Sequence, residues 1–578
     1  MTVEVERSAG TRTIAALWTR AKERSGTAYL VERDGSWEEI GWAEAAEAVD
    51  EIANGLLALG VGKGDAVGIL ARTTLEWCLF DFALGSIGSI GAGIYPSLPA
   101  RDCAYVLDHS DAVAVLVEDA EQRAKVEAER PNLPKLRHVL SFDDLEGLRA
   151  RGREHAAQSP GALEGVRASI AQDDLFTYIY TSGTTGPPKA CMITHRNYYD
   201  MVGAVDDVPQ FIGPDDLILL YLPLAHNFGR CMHLLAGYVG CTIAFCPDPA
   251  RVGEAAAAVK PTVLPSVPRV FEKVHAAVVS SFDEATGVKR RLVDWALRTG
   301  RRVSELRQAG KPVPAGLGAQ HRLADKLVYS KVKAKLGGRL RLPISGGAPL
   351  AKEIAEFFHV IDILICEGYG QTEGTTASNV NMPSRFRFGT VGPAIPGIEV
   401  RIADDGEVLV RSSTVFAGYY KNEEATRAVV DDDGWLHTGD VGSIEDGFLA
   451  ITDRKKDIIV TAGGKNVSPQ NIENELKATR FVSQALVIGD RRPYLTALIT
   501  LDEAETEKVN GDVQALVQNA VDDVNRDKAS FEQVKRFAIL QRDFSAEEDE
   551  VTPTLKLRRK VVADHFANEI EELYAATP

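Results

Sequence analysis

The residues best suited to chemistry lie in one loop, Tyr180-Thr181-Ser182-Gly183-Thr184-Thr185-Gly186-Pro187-Pro188-Lys189. A segment this rich in hydroxyls and glycine leaves backbone N–H groups free to surround anionic oxygens. Glycine permits the positive φ angles and the close approach that such a cradle needs. The hydroxyls add donors, and Lys189 adds a positive charge that can follow bound phosphates. The pattern is not a Gly-Lys-Ser/Thr phosphate loop, because Pro188 precedes Lys189 and Ala190 follows it. Read as structure alone, it is a polar turn between a strand and a helix. A second cluster is Glu367-Gly368-Tyr369-Gly370-Gln371-Thr372-Glu373-Gly374. Its glycines let the Tyr369 ring lie flat against a planar ligand. Thr372 can donate to a phosphate or carboxylate oxygen, and Glu373 is a hard oxygen ligand suited to Mg²⁺ that also holds phosphates. Read as structure alone, it is a tight turn with an exposed acid. Further turns are Ser345-Gly346-Gly347-Ala348-Pro349, Trp435-Leu436-His437-Thr438-Gly439-Asp440 and Asp453-Arg454-Lys455-Lys456-Asp457. Near the C-terminus comes Thr552-Pro553-Thr554-Leu555-Lys556-Leu557.

Elements of two kinds must position these turns. Phe176 to Ile179 reads as a strand leading into the first loop, and Ile361 to Cys366 as a buried strand leading into the second. Trp42 to Leu59 has helical periodicity, while Ala66 to Leu70 and Ala112 to Val117 read as strands. Such alternation predicts α/β layers with a largely parallel sheet. From Val391 to Trp435 short alternating runs predict a more antiparallel, barrel-like piece, and a small α/β unit follows Asp453. The charged connection Asp453 to Asp457 is the natural domain boundary. The apolar stretch Leu79 to Pro96 carries Asp81 and reads as a core helix and strand rather than a membrane span.

A chain of 578 residues exceeds one core, so at least two domains are expected. A formal charge of −17 argues against a dedicated nucleic-acid binder. Seven scattered cysteines form no CxxC pair and fit reduced, buried thiols in a cytoplasmic enzyme. Glu4 and Glu6, without an apolar run, predict no secretory leader.

In this order, the turns resemble those of the adenylate-forming superfamily of acyl-CoA synthetases, peptide-synthetase adenylation domains and firefly-type luciferases. The resemblance covers nearly the whole chain. Tyr221-Leu222-Pro223-Leu224-Ala225-His226, Leu264 to Lys273 and Gly463-Gly464-Lys465-Asn466-Val467-Ser468-Pro469 resemble the long-chain fatty-acid–CoA ligase branch. The resemblance implies a large N-terminal domain (1–452) of two parallel-type α/β sheets plus a distorted β-barrel. It further implies a hinge at 453–457 and a small mobile C-terminal α+β domain (458–578). The implied reaction joins a fatty acid to ATP as an acyl-adenylate, releases pyrophosphate, and passes the acyl group to coenzyme A. Thr181 and Glu373 are implied near Mg²⁺, and Thr181, Ser182, Gly183, Thr184, Thr185, Gly186 and Lys189 around the phosphates. Tyr369, with Glu367, Gly368 and Gly370, and the Gly346-Gly347-Ala348 turn are implied around adenine. Asp440 is implied on the ribose, and Arg454 on the ribose or a phosphate. Thr372 and His226 are implied at the reacting groups. Lys556 is implied as the catalytic lysine, although Leu555 replaces the commoner glycine. Lys456 falls at the hinge, and Gly463, Gly464 and Lys465 would shape the thiol tunnel in a second domain orientation.

Other readings are a ligase for another apolar acid (aryl, branched or sterol-side-chain) and a non-catalytic acyl- or nucleotide-binding protein. With 22 residues after Lys556, an attached carrier domain is not expected. One feature lies outside the resemblance. Residues 286–341 hold fifteen Lys or Arg against the three acids Asp294, Glu305 and Asp325. Its plain reading is a solvated helical face, and its sharper one is peripheral contact with an anionic membrane.

Overall fold

A computed structural model describes residues 11–181, 187–507, 512–545, 547–552 and 556–575. Two sheets form the N-terminal region. The first has six strands in the order His138–Ser141, Ala114–Val117, Ala66–Leu70, Ile90–Ile94, Leu175–Thr181 and Lys189–Thr194. Its first five strands are parallel, and the last pair is antiparallel. Every residue of Ala66–Leu70 is buried, as a strand covered on both faces requires. Helix Leu75–Ile87 is buried all round and brings Trp77, Phe80 and Phe82 into the core. The expected helix at Trp42 is observed as Trp42–Ala58.

The second sheet has eight strands in the order Asn379–Val380, Cys366–Tyr369, Leu342–Ser345, Val263–Ser266, Leu217–Leu220, Thr242–Phe245, Thr27–Arg33 and Ser36–Gly41. Only its two outermost pairs are antiparallel. The turns singled out above follow the carboxyl ends of its parallel strands. Tyr221–His226 follows Leu217–Leu220, Gly346–Ala348 follows Leu342–Ser345, and Gly370–Glu373 follows Cys366–Tyr369. Ligands of open parallel sheets bind at that edge.

Two expectations shift. The residues 182–186 of the phosphate loop lie outside the described residues, but their flanks are antiparallel, with Thr181 opposite Lys189. Thr181 and Lys189 therefore belong to paired strands rather than to a strand and a helix. The strand expected at Ile361 to Cys366 starts only at Cys366. Asp362 turns the chain at φ +68°, so the strand is moved onto Cys366–Tyr369, the motif itself. The antiparallel piece is a four-stranded sheet, Glu399–Ile402, Glu407–Arg411, Leu436–Glu445 and Phe448–Arg454.

The C-terminal region has its own core around Leu476, Ala485, Leu495 and Val517. A three-stranded sheet, Val482–Ile488, Leu495–Leu501 and Val534–Ile539, is flanked by helices. It meets the N-terminal region at helix Pro268–Asp283, here the seat helix. Arg269 donates to the Ser483 carbonyl at 2.9 Å and to its hydroxyl at 2.7 Å. Arg480 pairs with Asp283 at 2.9 Å, and Lys477 lies 3.9 Å from Glu272. Among the described residues, no helix is long and apolar enough to cross a membrane.

Candidate active site

The site is built on three ties. In the first, Asp440 is buried and opposes Arg454 across the antiparallel pair. Its Oδ2 accepts from the Tyr369 hydroxyl at 2.6 Å and from the Gln371 side-chain amide at 2.7 Å. The Arg454 guanidinium stands 3.6 Å from Oδ1. Gln371 also donates to the Thr438 carbonyl at 2.7 Å. A small hollow of about 10 Å³ beside this tie is lined by Tyr369, Gly370, Gln371, Ala377, Leu436 and Thr438. Glycine is obligatory at 370, since a Cβ there would lie 2.0 Å from the Thr376 carbonyl oxygen.

The second tie holds Glu373. Its Oε1 accepts from the Tyr419 hydroxyl at 2.6 Å, and the Lys189 ammonium lies 4.9 Å from the centre of the same tyrosine ring. Tyr419 is bridged to Cys191 of strand Lys189–Thr194, so one aromatic ring links Glu373 to the phosphate loop. Thr181 Oγ1 lies 3.4 Å from the Lys189 carbonyl.

The third tie is Asn227, the first residue of helix Asn227–Val239. Its carboxamide oxygen accepts from Thr376 Oγ1 at 3.0 Å and from the Tyr198 hydroxyl. Its amide lies 3.5 Å from the Thr372 carbonyl. Thr375 and Thr376 adopt positive φ, +52° and +97°, which costs a β-branched residue energy and clusters at functional sites. The Thr375 hydroxyl donates to the Thr414 carbonyl at 2.6 Å, and with Asn227 it holds the turn in place.

His226 caps that helix. Its Nδ1 accepts from the Phe228 N–H at 3.2 Å. Burial, with Lys556 nearby, pushes the ring down to about 3, so it is neutral. A neutral ring that accepts at Nδ1 carries its proton on Nε2. Lys556 enters this cluster from the C-terminal region. Burial and the Arg454 charge lower its ammonium to about 8, against the opposing pull of Glu373 and Asp440. Its backbone N–H donates to Thr552 Oγ1 at 3.0 Å, and its carbonyl accepts from the Thr552 N–H at 2.9 Å. Glu367 is buried, accepts from the Leu350 N–H at 3.1 Å, and is pushed up to about 7 by burial. Ser345 Oγ, next to Gly346, is buried without a partner among the described residues.

The structure thus brings together Thr181, Lys189, His226, Gly346, Thr372, Glu373, Tyr369, Asp440, Arg454 and Lys556. It does not bring Gly463, Gly464 and Lys465 there. They turn between Ile459–Val460 and Asn466–Val467, and Lys465 lies 5.8 Å from the Phe531 ring of its own region. Sequence reasoning missed Tyr419, Asn227 and Gln371. No spacing signal marks the first two, whereas Gln371 lay unassigned inside a motif already in view.

Turns gathered at the carboxyl edge of a parallel sheet, with Lys556 brought to them from the C-terminal region, are the arrangement expected of an adenylate-forming enzyme. The comparisons agree: the chain belongs to the AMP-binding enzyme family, matching it over residues 17–420 and matching the AMP-binding enzyme C-terminal domain over 456–578. It is 38% identical to the long-chain-fatty-acid–CoA ligase FadD15 of Mycobacterium tuberculosis, over 96% of this chain and 95% of that protein. It is 30% identical to the human long-chain-fatty-acid–CoA ligase ACSBG2, over 97% of this chain and 92% of that one. It shares the fold of the anthranilate CoA ligase AuaEII solved with anthranoyl-AMP, at a TM-score of 0.76 and 21% identity, covering 96% and 97% of the chains.

Proposed function

We propose that this chain activates a long- or medium-chain fatty acid with ATP and transfers it to coenzyme A. The observation that carries the reading is Lys556 of the C-terminal region sharing one electrostatic neighbourhood with His226, Glu373, Asp440 and Arg454. In the first step a carboxylate oxygen attacks the α-phosphorus and pyrophosphate leaves. An anion meets a polyanion, so preorganised cations and donors supply most of the acceleration. The Lys556 ammonium bridges the carboxylate and the α-phosphate, and His226 Nε2–H and Thr372 donate to the same oxygens. Asp440 accepts from the ribose hydroxyls, and Tyr369 with the Gly346-Gly347-Ala348 turn encloses adenine. The loop from Thr181 to Lys189 holds the β- and γ-phosphates.

Mg²⁺ suits Glu373 and Thr181. One carboxylate and one hydroxyl are few for a protein cage, but Mg²⁺ prefers one or two protein oxygens plus phosphates and water. When bound, it screens phosphate charge. In the second step the thiol attacks the acyl carbon and AMP leaves. Residues 1–452 and 458–578 act as two domains about a hinge at 453–457. Lys556 serves the first orientation, and Gly463, Gly464 and Lys465 serve the second. Acid-dependent exchange of labelled pyrophosphate into ATP, followed by thioester formation on adding coenzyme A, tests the reading. Exchange with aryl or branched acids but not with fatty acids would replace the substrate class. No exchange with any acid would overturn the enzyme.

A further inference from the structure

The fifteen cations of residues 286–341 divide sharply. Four have carboxylate partners: Arg290 with Asp283 and Asp294, Arg307 with Asp362, Lys333 with Asp325 and Asp362, and Arg341 with Asp216. The other eleven are exposed, with no ion pair among the described residues. Helix Gly287–Gln308 and the helical run from Ala315 to Lys335 pack side by side on one apolar cluster, which includes Val293, Ala296, Ala324, Val328 and Phe358. Their outer faces therefore turn away from the core together. On the first helix Arg291, Arg298 and Arg302 are spaced seven and four apart, opposite Val293, Ala296 and Val303. Asp294, which is paired with Arg290, and Glu305 interrupt that stripe with negative charges.

The same surface carries exposed hydrophobic side chains. Val288 is 82% exposed, Leu323 50% and Leu327 37%, three of the six large hydrophobics so exposed among the described residues. Leu323 and Leu327 sit one helical turn apart, between Arg322, Lys326 and Lys331. An ordinary solvated face gains nothing from leucines among its lysines. A positive face with a few protruding apolar side chains matches a surface that is anionic outside and apolar beneath.

We propose that the outer face of residues 287–335 is a docking surface for an anionic lipid bilayer. The inference deepens the ligase reading by naming the phase from which the acid is taken, and it rests on that reading for its purpose. Binding itself is measurable without any substrate, so the two can fail separately. The test is co-sedimentation of the full chain with phosphatidylcholine vesicles containing a minority of phosphatidylglycerol, and with phosphatidylcholine alone. Binding is expected with the anionic vesicles at low salt only. Each cation near such a surface contributes about fivefold to partition. The combined Arg291→Glu, Arg298→Glu, Arg301→Glu and Arg302→Glu variant should lose roughly a hundredfold or more. Leu323→Ser with Leu327→Ser should weaken binding while leaving its salt dependence intact. None of these residues touches the active site, so activity on a short, water-soluble acid should persist and report that both variants fold. No binding to anionic vesicles at low salt overturns the proposal. So does binding that survives the charge reversals, or tighter binding of a double-stranded oligonucleotide than of vesicles.

Discussion

The two halves of the active site are held in opposite ways. On the N-terminal side three acceptors are tied to donors far along the chain: Asp440 to Tyr369 and Gln371, Glu373 to Tyr419, and Asn227 to Thr376. These bonds are partly buried and span distant parts of the chain, so they brace the pocket. On the C-terminal side Lys556 comes from a region that rests on the N-terminal one through few polar contacts among the described residues. Arg480 and Asp283 are 26% and 46% exposed, and exposed pairs of this kind contribute about 1 kcal/mol or less. A braced pocket and a loosely seated lysine suit the proposed reaction, whose two steps need one nucleotide site but different partners above it.

Damage to the braced half should harm both steps. Asp440→Ala removes the proposed ribose acceptor and strands the Tyr369 and Gln371 donors. Loss of one preorganised electrostatic contact of this kind costs roughly a hundred- to a thousandfold in rate. Both adenylation and the conversion of supplied acyl-adenylate to thioester should fall, as single-turnover assays would record. Loss in adenylation alone would mean that the pocket is not shared.

Damage to the exchange itself should split the steps. Lys456→Pro fixes φ within the proposed hinge. Thioester formation from supplied acyl-adenylate should drop by roughly tenfold or more while adenylation is largely kept. An unchanged second step would show that the rotation is absorbed elsewhere. Removing the seat contacts should split them the other way. Arg269→Ala with Arg480→Ala should slow adenylation by up to roughly tenfold, the worth of two or three weak contacts. The second step should be untouched. Equal slowing of both would make the seat a general prop.

The smallest effect is a pH limb. Lys556 is a cation below about 8 and neutral above, where an ordinary lysine stays charged to 10.5. The kcat/KM of adenylation, which reports the free enzyme, should fall as pH rises through about 8. Lys556→Arg should remove that limb, because a guanidinium stays protonated, even if it lowers the rate.

Much of this was legible in the chain because glycine, hydroxyl and carboxylate clusters mark turns at strand ends. The strand Ala66–Leu70 and the turns after Ser345 and Tyr369 are local consequences of local residue types. Tyr419 and Asn227 were not legible, since each acts through a partner far along the chain: Glu373 for one, Thr376 for the other. The motif Leu264 to Lys273 was visible as a pattern but silent about its task. Only the fold sets Arg269 against Ser483, two hundred and fourteen positions away. The strand expected from Ile361 was displaced by a backbone turn at Asp362 that hydrophobicity does not report.

The most direct test of a braced pocket served by an exchangeable lysine is Lys556→Ala, measured in both half-reactions side by side. Loss of one preorganised electrostatic contact costs roughly 10²–10³-fold. Adenylation should fall by that much, while supplied acyl-adenylate should still be converted to thioester at close to the unmodified rate. Equal loss in both half-reactions would contradict the account.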